Sequence, residues 1–350
     1  MKVKMRILAV TNMYPTTSHP TCGTFVQQQV KGLGDIGVDV ELLTVDRSNL
    51  GYRAYVNLGA KVRKLASETR PALIHVMYGG VMSKAVVEAA TNLPVIVSFC
   101  GSDLLGENLP GFFRQLAIKY TVWCSHRAVR HVRGIIVKSK NLWDALPSGV
   151  DKQWVRIIPN GIDLDRFKPL DAATCRQRLN WDPNKFHVLF PANTGTPRKR
   201  FWLATAAVRE AQRAGLPAEL HRLEGVKHED VPLWLNSSDC LILTSEYEGS
   251  PNIIKEALAC NVPVVSLDIG DVSERVRGIA GCHISSSDPQ DLAARLVAVQ
   301  KGPRRVQGRI KMNDLSLTRV AERLLEFYQS VLENGSCRAE TLSVAESNSA

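Results

Sequence analysis

Residues 244–260 of the 350-residue sequence read TSEYEGSPNIIKEALAC. This stretch follows the apolar run CLIL, which ends at Leu243 and is typical of a buried strand. The polar residues that come next predict a loop, and Pro251 favours the first turn of a helix over 252–259. Strand, loop and helix in this order predict one unit of a parallel α/β sheet, whose ligands bind beyond the carboxyl ends of the strands.

The loop and the helix carry two glutamates, Glu248 and Glu256. The first backbone N–H groups of the helix have no intrahelical acceptor and predict an anion site, which Gly249 opens to close approach. Two carboxylates would repel a phosphate, so we expect one to bind sugar hydroxyls and the other the vicinal hydroxyls of a ribose. A structural role for Glu256, as a partly buried acid paired with Lys255 or Arg275, is equally compatible with the sequence.

Short apolar runs alternate with helical periodicity on both sides of this stretch, and the pattern restarts near residue 185. The chain is also longer than one ordinary hydrophobic core requires. We therefore expect two doubly wound α/β domains, 1–168 and 169–333, followed by a disordered tail, 334–350. The expected strands are 7–11, 40–45, 73–77, 94–99 and 135–137 in the first domain, and 188–191, 240–244 and 262–266 in the second.

Three segments resemble those of retaining glycosyltransferases of the GT-B fold, family 4 type, also described as group 1. EGSPNIIKEALACNVPVV resembles their donor-site signature, and PNGIDLDRFKP at 159–169 is similar to the segment that begins their second domain. MYP at 13–15 and GTF at 23–25 resemble their first loop. The similarity covers residues 5–332. It implies two Rossmann-like domains facing each other across a cleft, the first binding the acceptor and the second the nucleotide-sugar donor. The final helix, 315–332, would pack back on the first domain.

The resemblance also implies roles for individual residues. Glu256 would bind the ribose of the donor, and Glu248 the transferred sugar. Lys199 would neutralise the leaving diphosphate, because preplaced cations stabilise the charge that develops there. The front-face displacement that the family suggests needs no protein nucleophile. The donor-binding residues would be Gly249, Ser250, Pro251, Asn252 and Ile253, and backbone N–H groups of this segment would hold phosphate and sugar oxygens.

One departure from the family pattern lies beside Lys199. Asn193 occupies the position of the usual arginine, and the nearest other cations are Arg198 and Arg200. Which residue replaces the arginine stays open, with Arg198 and Asn193 as donor-site candidates. Without a ligand, the segment 198–200 would be an ordinary solvated loop.

A second departure lies in the predicted first domain, where Cys100 occupies the position of the usual histidine before Gly-x-Asp. A thiol is a poor substitute for an imidazole donor, so Gly101, Asp103 or the acceptor itself would supply the contact. Asp103 is the catalytic candidate of this domain, although a helix-capping role is equally compatible. Cys100 and Gly101, together with Gly23 and Thr24, form the predicted acceptor and phosphate loop.

The formal net charge is +10, and residues 108–143 include seven basic residues and no acidic one. A basic surface favours an anionic partner. Within this segment, residues 112–133 mix aromatic and basic side chains at helical spacing, which is the composition of an interfacial helix on anionic lipid. We therefore expect a glycan or lipid-linked acceptor and a cytoplasmic protein at the inner face of the cell membrane. An internal helix with exposed arginines explains the composition equally well.

Other classes of site and function have weaker support. No His, Cys or Asp cluster has metal-ligand spacing, and the D-x-D at 163–165 lies in the PNGID turn. We expect no metal and no cofactor, with a UDP- or GDP-sugar as substrate. No motif predicts nucleic-acid binding. A sugar-nucleotide epimerase of the same fold, which would not need an acceptor, is the alternative enzyme, and a non-enzymatic anion- or nucleic-acid-binding protein is a weaker one.

Overall fold

The structure is a computed structural model that describes residues 5–17, 19, 21–90, 92–108, 111–191 and 196–347, with side chains as far as Glu333. The chain divides into two compact units, residues 1–161 with 318–350 and residues 162–317. This division falls inside the PNGID segment, whereas the predicted boundary lies between residues 168 and 169. The predicted disordered tail, 334–350, lies outside the residues whose side chains are described.

The first unit is built on a six-stranded sheet in which every neighbouring pair is parallel. Its central strands are continuous apolar runs because both faces are covered, as is usual for parallel sheets. The spatial order is β2-β1-β3-β4-β5-β6. The strands are β1 (Arg6–Thr11), β2 (Asp39–Thr44), β3 (Leu73–Val76), β4 (Val95–Phe99), β5 (Gly134–Val137) and β6 (Val155–Ile157).

Helices connect these strands, as the alternating pattern predicts. They are α1 (Thr24–Asp35), α2 (Arg47–Leu50), α3 (Leu58–Thr69), α4 (Val81–Ala89), α5 (Ser102–Leu105), α6 (Phe112–Val129) and α7 (Lys140–Asp144). Short 3-10 turns lie at Gly51–Tyr55 and Lys152–Trp154.

The second unit contains a five-stranded parallel sheet in the order β11-β10-β9-β7-β8. The two parallel sheets with their helices confirm the predicted α/β class. The strands are β7 (Phe186–Phe190), β8 (Ala218–Arg222), β9 (Cys240–Leu243), β10 (Val264–Leu267) and β11 (His283–Ser285). The helices are α8 (Ala172–Leu179), α9 (Phe201–Arg213), α10 (Val231–Ser237), α11 (Asn252–Ala259), α12 (Val272–Val276), α13 (Pro289–Lys301) and α14 (Arg309–Met312), with 3-10 turns at Pro197–Lys199 and Asn313–Leu315.

The last helix, α15 (Leu317–Ser347), packs within the first unit. Tyr328 is fully buried, and its hydroxyl lies 2.7 Å from Nδ1 of His75 on β3. Nε2 of His75 lies 2.7 Å from the Ser98 hydroxyl, and burial lowers the pKa of this histidine to about 3. His75 is therefore a neutral packing residue. Among the described residues, no helix is long and apolar enough to cross a bilayer.

Close packing of α15 on β5 gives a first stability prediction. A Cβ atom at Gly134 would lie 2.8 Å from Cζ of Phe327 and 3.1 Å from a methyl carbon of Val331. We expect Gly134→Ala to lower the free energy of unfolding by about 1–3 kcal/mol, because overpacking forces neighbouring side chains apart. Gly34→Ala in α1 is the control, since nothing lies within 4 Å of its Cβ position. Urea unfolding of both variants measures the difference, and equal stabilities would contradict the prediction.

Candidate active site

Two loops meet at the carboxyl edge of the second sheet, where β7 and β9 are neighbours. The hydroxyl of Thr244, directly after β9, donates to the carbonyl oxygens of Lys199 at 2.9 Å and Arg200 at 3.0 Å. In return, the guanidinium of Arg200 donates to the carbonyl oxygens of Thr244 at 2.8 Å and Ser245 at 2.9 Å. These four bonds fix the turn Pro197–Lys199 against the loop that carries Glu248. Arg200 is thus a positioning residue that the sequence analysis did not assign.

Glu248 lies between two of the predicted donor-site cations. Its Oε1 accepts from Nζ of Lys199 at 2.5 Å and from the guanidinium of Arg198 at 3.1 Å. Burial alone would raise the pKa of Glu248, but Lys199 and Arg198 outweigh it and hold the pKa below its usual value. The side chain is 12% exposed. The segment 198–200 is therefore part of a charged cluster.

The segment that follows β10 packs against the loop after Glu248 and forms hydrogen bonds with it. A Cβ atom at Gly270, whose φ is +58°, would lie only 2.4 Å from the carbonyl oxygen of Gly249. The hydroxyl of Ser250 donates to Asp271 at 2.8 Å, and the Arg275 guanidinium donates to the same carboxylate oxygen at 2.8 Å. The Ser250 hydroxyl is therefore engaged in this buried contact.

Helix α11 begins at Asn252, after Pro251, and places Ile253 in its first turn. The start of the helix agrees with the expected 252–259. Glu248 precedes the helix by four residues, and the anion site at the first N–H groups of the helix stays a prediction. Asn193, the other candidate on the β7 side, lies outside the described residues.

Glu256 is buried and approaches a histidine that the sequence analysis missed. Its Oε1 lies 3.4 Å from Nε2 of His228, while Nδ1 of that ring lies 3.1 Å from the Arg166 guanidinium. Phe167 packs edge-on against the same ring. Arg275, one partner considered for Glu256, pairs with Asp271 instead. Because Arg166 and Phe167 belong to the PNGIDLDRFKP segment, this contact joins two of the recognised motifs inside the second unit.

In the first unit, Asp103 organises two loops at the carboxyl edge of the sheet. It is fully buried, and its carboxylate accepts from the backbone N–H groups of Gly79 at 2.8 Å, Gly101 at 2.8 Å and Cys100 at 3.0 Å. Burial raises the pKa of Asp103 against the effect of these bonds. These contacts give Asp103 a positioning role, and the catalytic role predicted for it stays a prediction.

The other predicted residues of the first unit also lie at this edge. Gly23, with φ +68°, leaves no room for a side chain, since its Cβ would lie 2.2 Å from the carbonyl carbon of Met13. Helix α1 begins at the next residue, Thr24. Lys138, directly after β5, is a buried cation that the sequence analysis missed. Burial lowers its pKa, against the opposing effect of Cys100 and Asp103.

Comparison with known families agrees with this geometry. The family described as Glycosyltransferase Family 4 matches residues 23–166, and the family described as Glycosyl transferases group 1 matches residues 194–301. The protein is therefore a glycosyltransferase of the GT-B class. Within that class it belongs to the family 4, group 1 glycosyltransferases, as the three sequence segments indicated.

Individual relatives are distant. The chain is 24% identical over 332 residues to the putative teichuronic acid biosynthesis glycosyltransferase TuaC of Bacillus subtilis (strain 168), covering 77% of this chain and 82% of that protein. Sucrose-phosphate synthase of Thermosynechococcus elongatus superimposes with a TM-score of 0.74 at 16% identity, covering 94% of this chain and 100% of that one. Anabaena HepE, solved in complex with UDP and glucose, superimposes with a TM-score of 0.62 at 19% identity. The superposition covers 93% of this chain and 100% of that one. At these identities the solved structures show the shared fold.

Proposed function

We propose that the protein transfers a hexose-type sugar from a UDP- or GDP-sugar to a glycan or glycolipid acceptor, with retention of configuration, in cell-surface polysaccharide or glycoconjugate synthesis. The observation that carries this proposal is the cluster of Lys199, Arg198 and Glu248, in which Glu248 belongs to the loop that leads into α11. HepE, with UDP and glucose bound, and TuaC, named for teichuronic acid synthesis, support the donor and acceptor classes.

The charges in the cluster suggest how a donor is bound. The β-phosphate of a nucleoside diphosphate lies at the start of α11. There Lys199 and Arg198 form ion pairs with the phosphate oxygens in addition to those with Glu248. Glu248 then accepts from hydroxyls of the sugar. Glu256 is four residues along α11 from Asn252, roughly 6 Å along the axis, and its proposed ligand is the ribose of the same donor.

In the transfer step, the bond between the anomeric carbon and the phosphate oxygen breaks as the acceptor oxygen bonds to the same face of that carbon. The acceptor proton passes to the leaving diphosphate. Lys199 and Arg198 stabilise the charge that develops there, so the proposed transfer needs no metal or cofactor.

Nucleotide binding tests the donor site directly. We expect one of UDP, GDP, ADP and CDP to bind the wild type, and Glu256→Ala to weaken that binding about 10–100-fold, because hydrogen bonds to a charged group contribute roughly 1.5–3 kcal/mol. Glu246→Ala is the matched control, since Glu246 is an exposed acid of the loop that precedes α11. Calorimetric titration measures the affinities. Equal binding by the two variants, or no binding by the wild type, would contradict the site, and epimerisation of the donor without acceptor would contradict transfer.

We also propose that the acceptor is reached at an anionic membrane surface through α6. The exposed fractions on this helix are 77% for Phe112, 82% for Phe113 and 51% for Trp123. Cys124 and Ala128 of the same helix are buried. Exposed aromatic side chains on a helix fit the boundary between lipid headgroups and acyl chains.

Charge supports the same partner. Exposed basic residues follow the aromatic ones at the carboxyl end of the helix and just beyond it, and they are Arg127, Arg130 and Arg133. Each basic residue near an anionic bilayer contributes about 1 kcal/mol of attraction. We therefore propose peripheral association with the inner face of the cell membrane in a cytoplasmic protein, and no nucleic-acid partner.

A further inference from the structure

Two histidines and a glutamate lie close together on one face of the second sheet. They belong neither to the turn Pro197–Lys199 nor to the loop that carries Glu248. Nδ1 of His187 lies 2.9 Å from Nε2 of His221, and a carboxylate oxygen of Glu219 lies 3.9 Å from that same Nε2. The three ligand atoms all lie within 4.8 Å of one another. Parallel pairing of β7 with β8 places His187 opposite Glu219, and His221 follows two residues later on the same face.

The surroundings orient both rings. Nε2 of His187 donates to the carbonyl oxygen of Asp182 at 2.7 Å, which leaves the lone pair on Nδ1 directed at His221. A backbone carbonyl bonded to the far nitrogen is the usual support of a metal-binding histidine. The ring of Trp181 stacks on His221 with a centroid separation of 3.6 Å and an angle of 9°. His187 is fully buried, whereas half of the Glu219 side chain is exposed at the edge strand, which gives an ion a path of entry.

We propose that His187, His221 and Glu219 form a binding site for a divalent transition-metal ion such as Zn²⁺. Two imidazole nitrogens and one carboxylate oxygen are a ligand set that Zn²⁺ accepts, with water as a fourth ligand. The site ties the edge strand β8 to β7 and to Trp181, and the ion stabilises the second unit. It takes no part in sugar transfer.

A small movement of the two histidine rings makes room for the ion. Metal–nitrogen bonds of about 2.0–2.1 Å in a tetrahedral site hold two nitrogens about 3.3 Å apart, so the rings separate by roughly 0.4 Å. His221 donates its Nε2–H to His187 in the metal-free state, and this proton moves to Nδ1 of the same ring when the metal binds.

The test is titration of the full-length, tag-free protein with Zn²⁺ and with Co²⁺, followed by calorimetry and thermal unfolding. We expect one equivalent of Zn²⁺ to bind and to raise Tm. His221→Phe, which keeps the stack on Trp181, should weaken binding at least about tenfold, because even outer-shell partners of metal ligands change affinity 10–100-fold. Glu219→Gln should weaken it by a smaller factor. Co²⁺ should quench tryptophan fluorescence in the wild type, and Trp181→Phe should remove most of that change.

The matched control is His283→Phe, which replaces a strand histidine of the same unit outside the cluster. It should bind Zn²⁺ as the wild type does. Binding of equal strength by the wild type and His221→Phe would assign the ion to another site, such as a thiol, and would overturn the proposal. Absence of one-equivalent binding by the wild type would also overturn it. Neither result bears on nucleotide binding, which is measured separately.

Discussion

Glu248→Gln is expected to lower the rate of sugar transfer about 10²–10³-fold while strengthening the binding of the free nucleoside diphosphate. Glutamine keeps the shape of the side chain but loses the charge that the nearby cations hold ionised. The proposed hydrogen bonds to the sugar hydroxyls become weaker in the transition state, and the rate of transfer falls. At the same time, Lys199 and Arg198 no longer share their charge with a carboxylate, so a diphosphate binds roughly 3–10-fold more tightly.

Lys199→Ala separates this explanation from general damage to the loop. Its Nζ forms the shorter of the two described ion pairs with Glu248, so its loss should weaken both diphosphate binding and turnover. Lys227→Ala, at an exposed lysine of the same unit, is the control. Calorimetry with the diphosphate and turnover assays with donor and acceptor give the two readouts. If Glu248→Gln and Lys199→Ala shift diphosphate affinity in the same direction, the charge-sharing account is wrong.

The sequence predicted the parts of the fold that carry their own local pattern. The strand before Thr244 and the helix 252–259 were predicted within one residue, because an apolar run, a polar loop and a proline fall in succession. The same stretch identified Glu248 and Glu256. The partners of Glu248 could not be predicted in the same way, because the contact of Lys199 with Glu248 depends on β7 and β9 being neighbours in space.

Strand β8 shows why some elements were missed. It is an edge strand of sequence AELHR, and its polar residues replace the apolar run by which the other strands were recognised. Missing β8 also concealed the cluster of His187, Glu219 and His221, which exists only through strand pairing. His228 was missed for a related reason, because a lone histidine in a loop has no motif and its contact with Glu256 is tertiary.

Asp103 shows a different limit. Its position at the end of a buried strand fits a catalytic acid and a capping residue equally well. The three N–H groups that donate hydrogen bonds to Asp103 belong to the loops after β3 and β4, and one of them, that of Gly79, is far from Asp103 in the chain. Local pattern does not contain this information, which depends on the order of strands in the sheet.

Membrane binding is expected to fall about 10²–10³-fold when Phe112, Phe113 and Trp123 are all replaced by serine. Full burial of one such side chain contributes about 1.5–3 kcal/mol, and partial burial at an interface gives a smaller share from each. All three are at least half exposed, so their replacement leaves the interior of the first unit intact. Co-sedimentation with vesicles that contain anionic lipid measures the affinity, and unchanged thermal unfolding shows that the variant is folded.

Two further variants decide whether α6 is the surface involved. Trp202→Ser removes a tryptophan that is 63% exposed on α9 of the other unit, and it should bind vesicles as the wild type does. Replacing Arg127, Arg130 and Arg133 by glutamine should remove the preference for anionic over neutral vesicles, because the attraction to anionic lipid is electrostatic and the aromatic side chains remain. Vesicle binding as strong as that of the wild type by the triple serine variant would show that the exposed aromatic side chains of α6 contact no membrane. The acceptor would then be a soluble glycan, with the donor site unaffected.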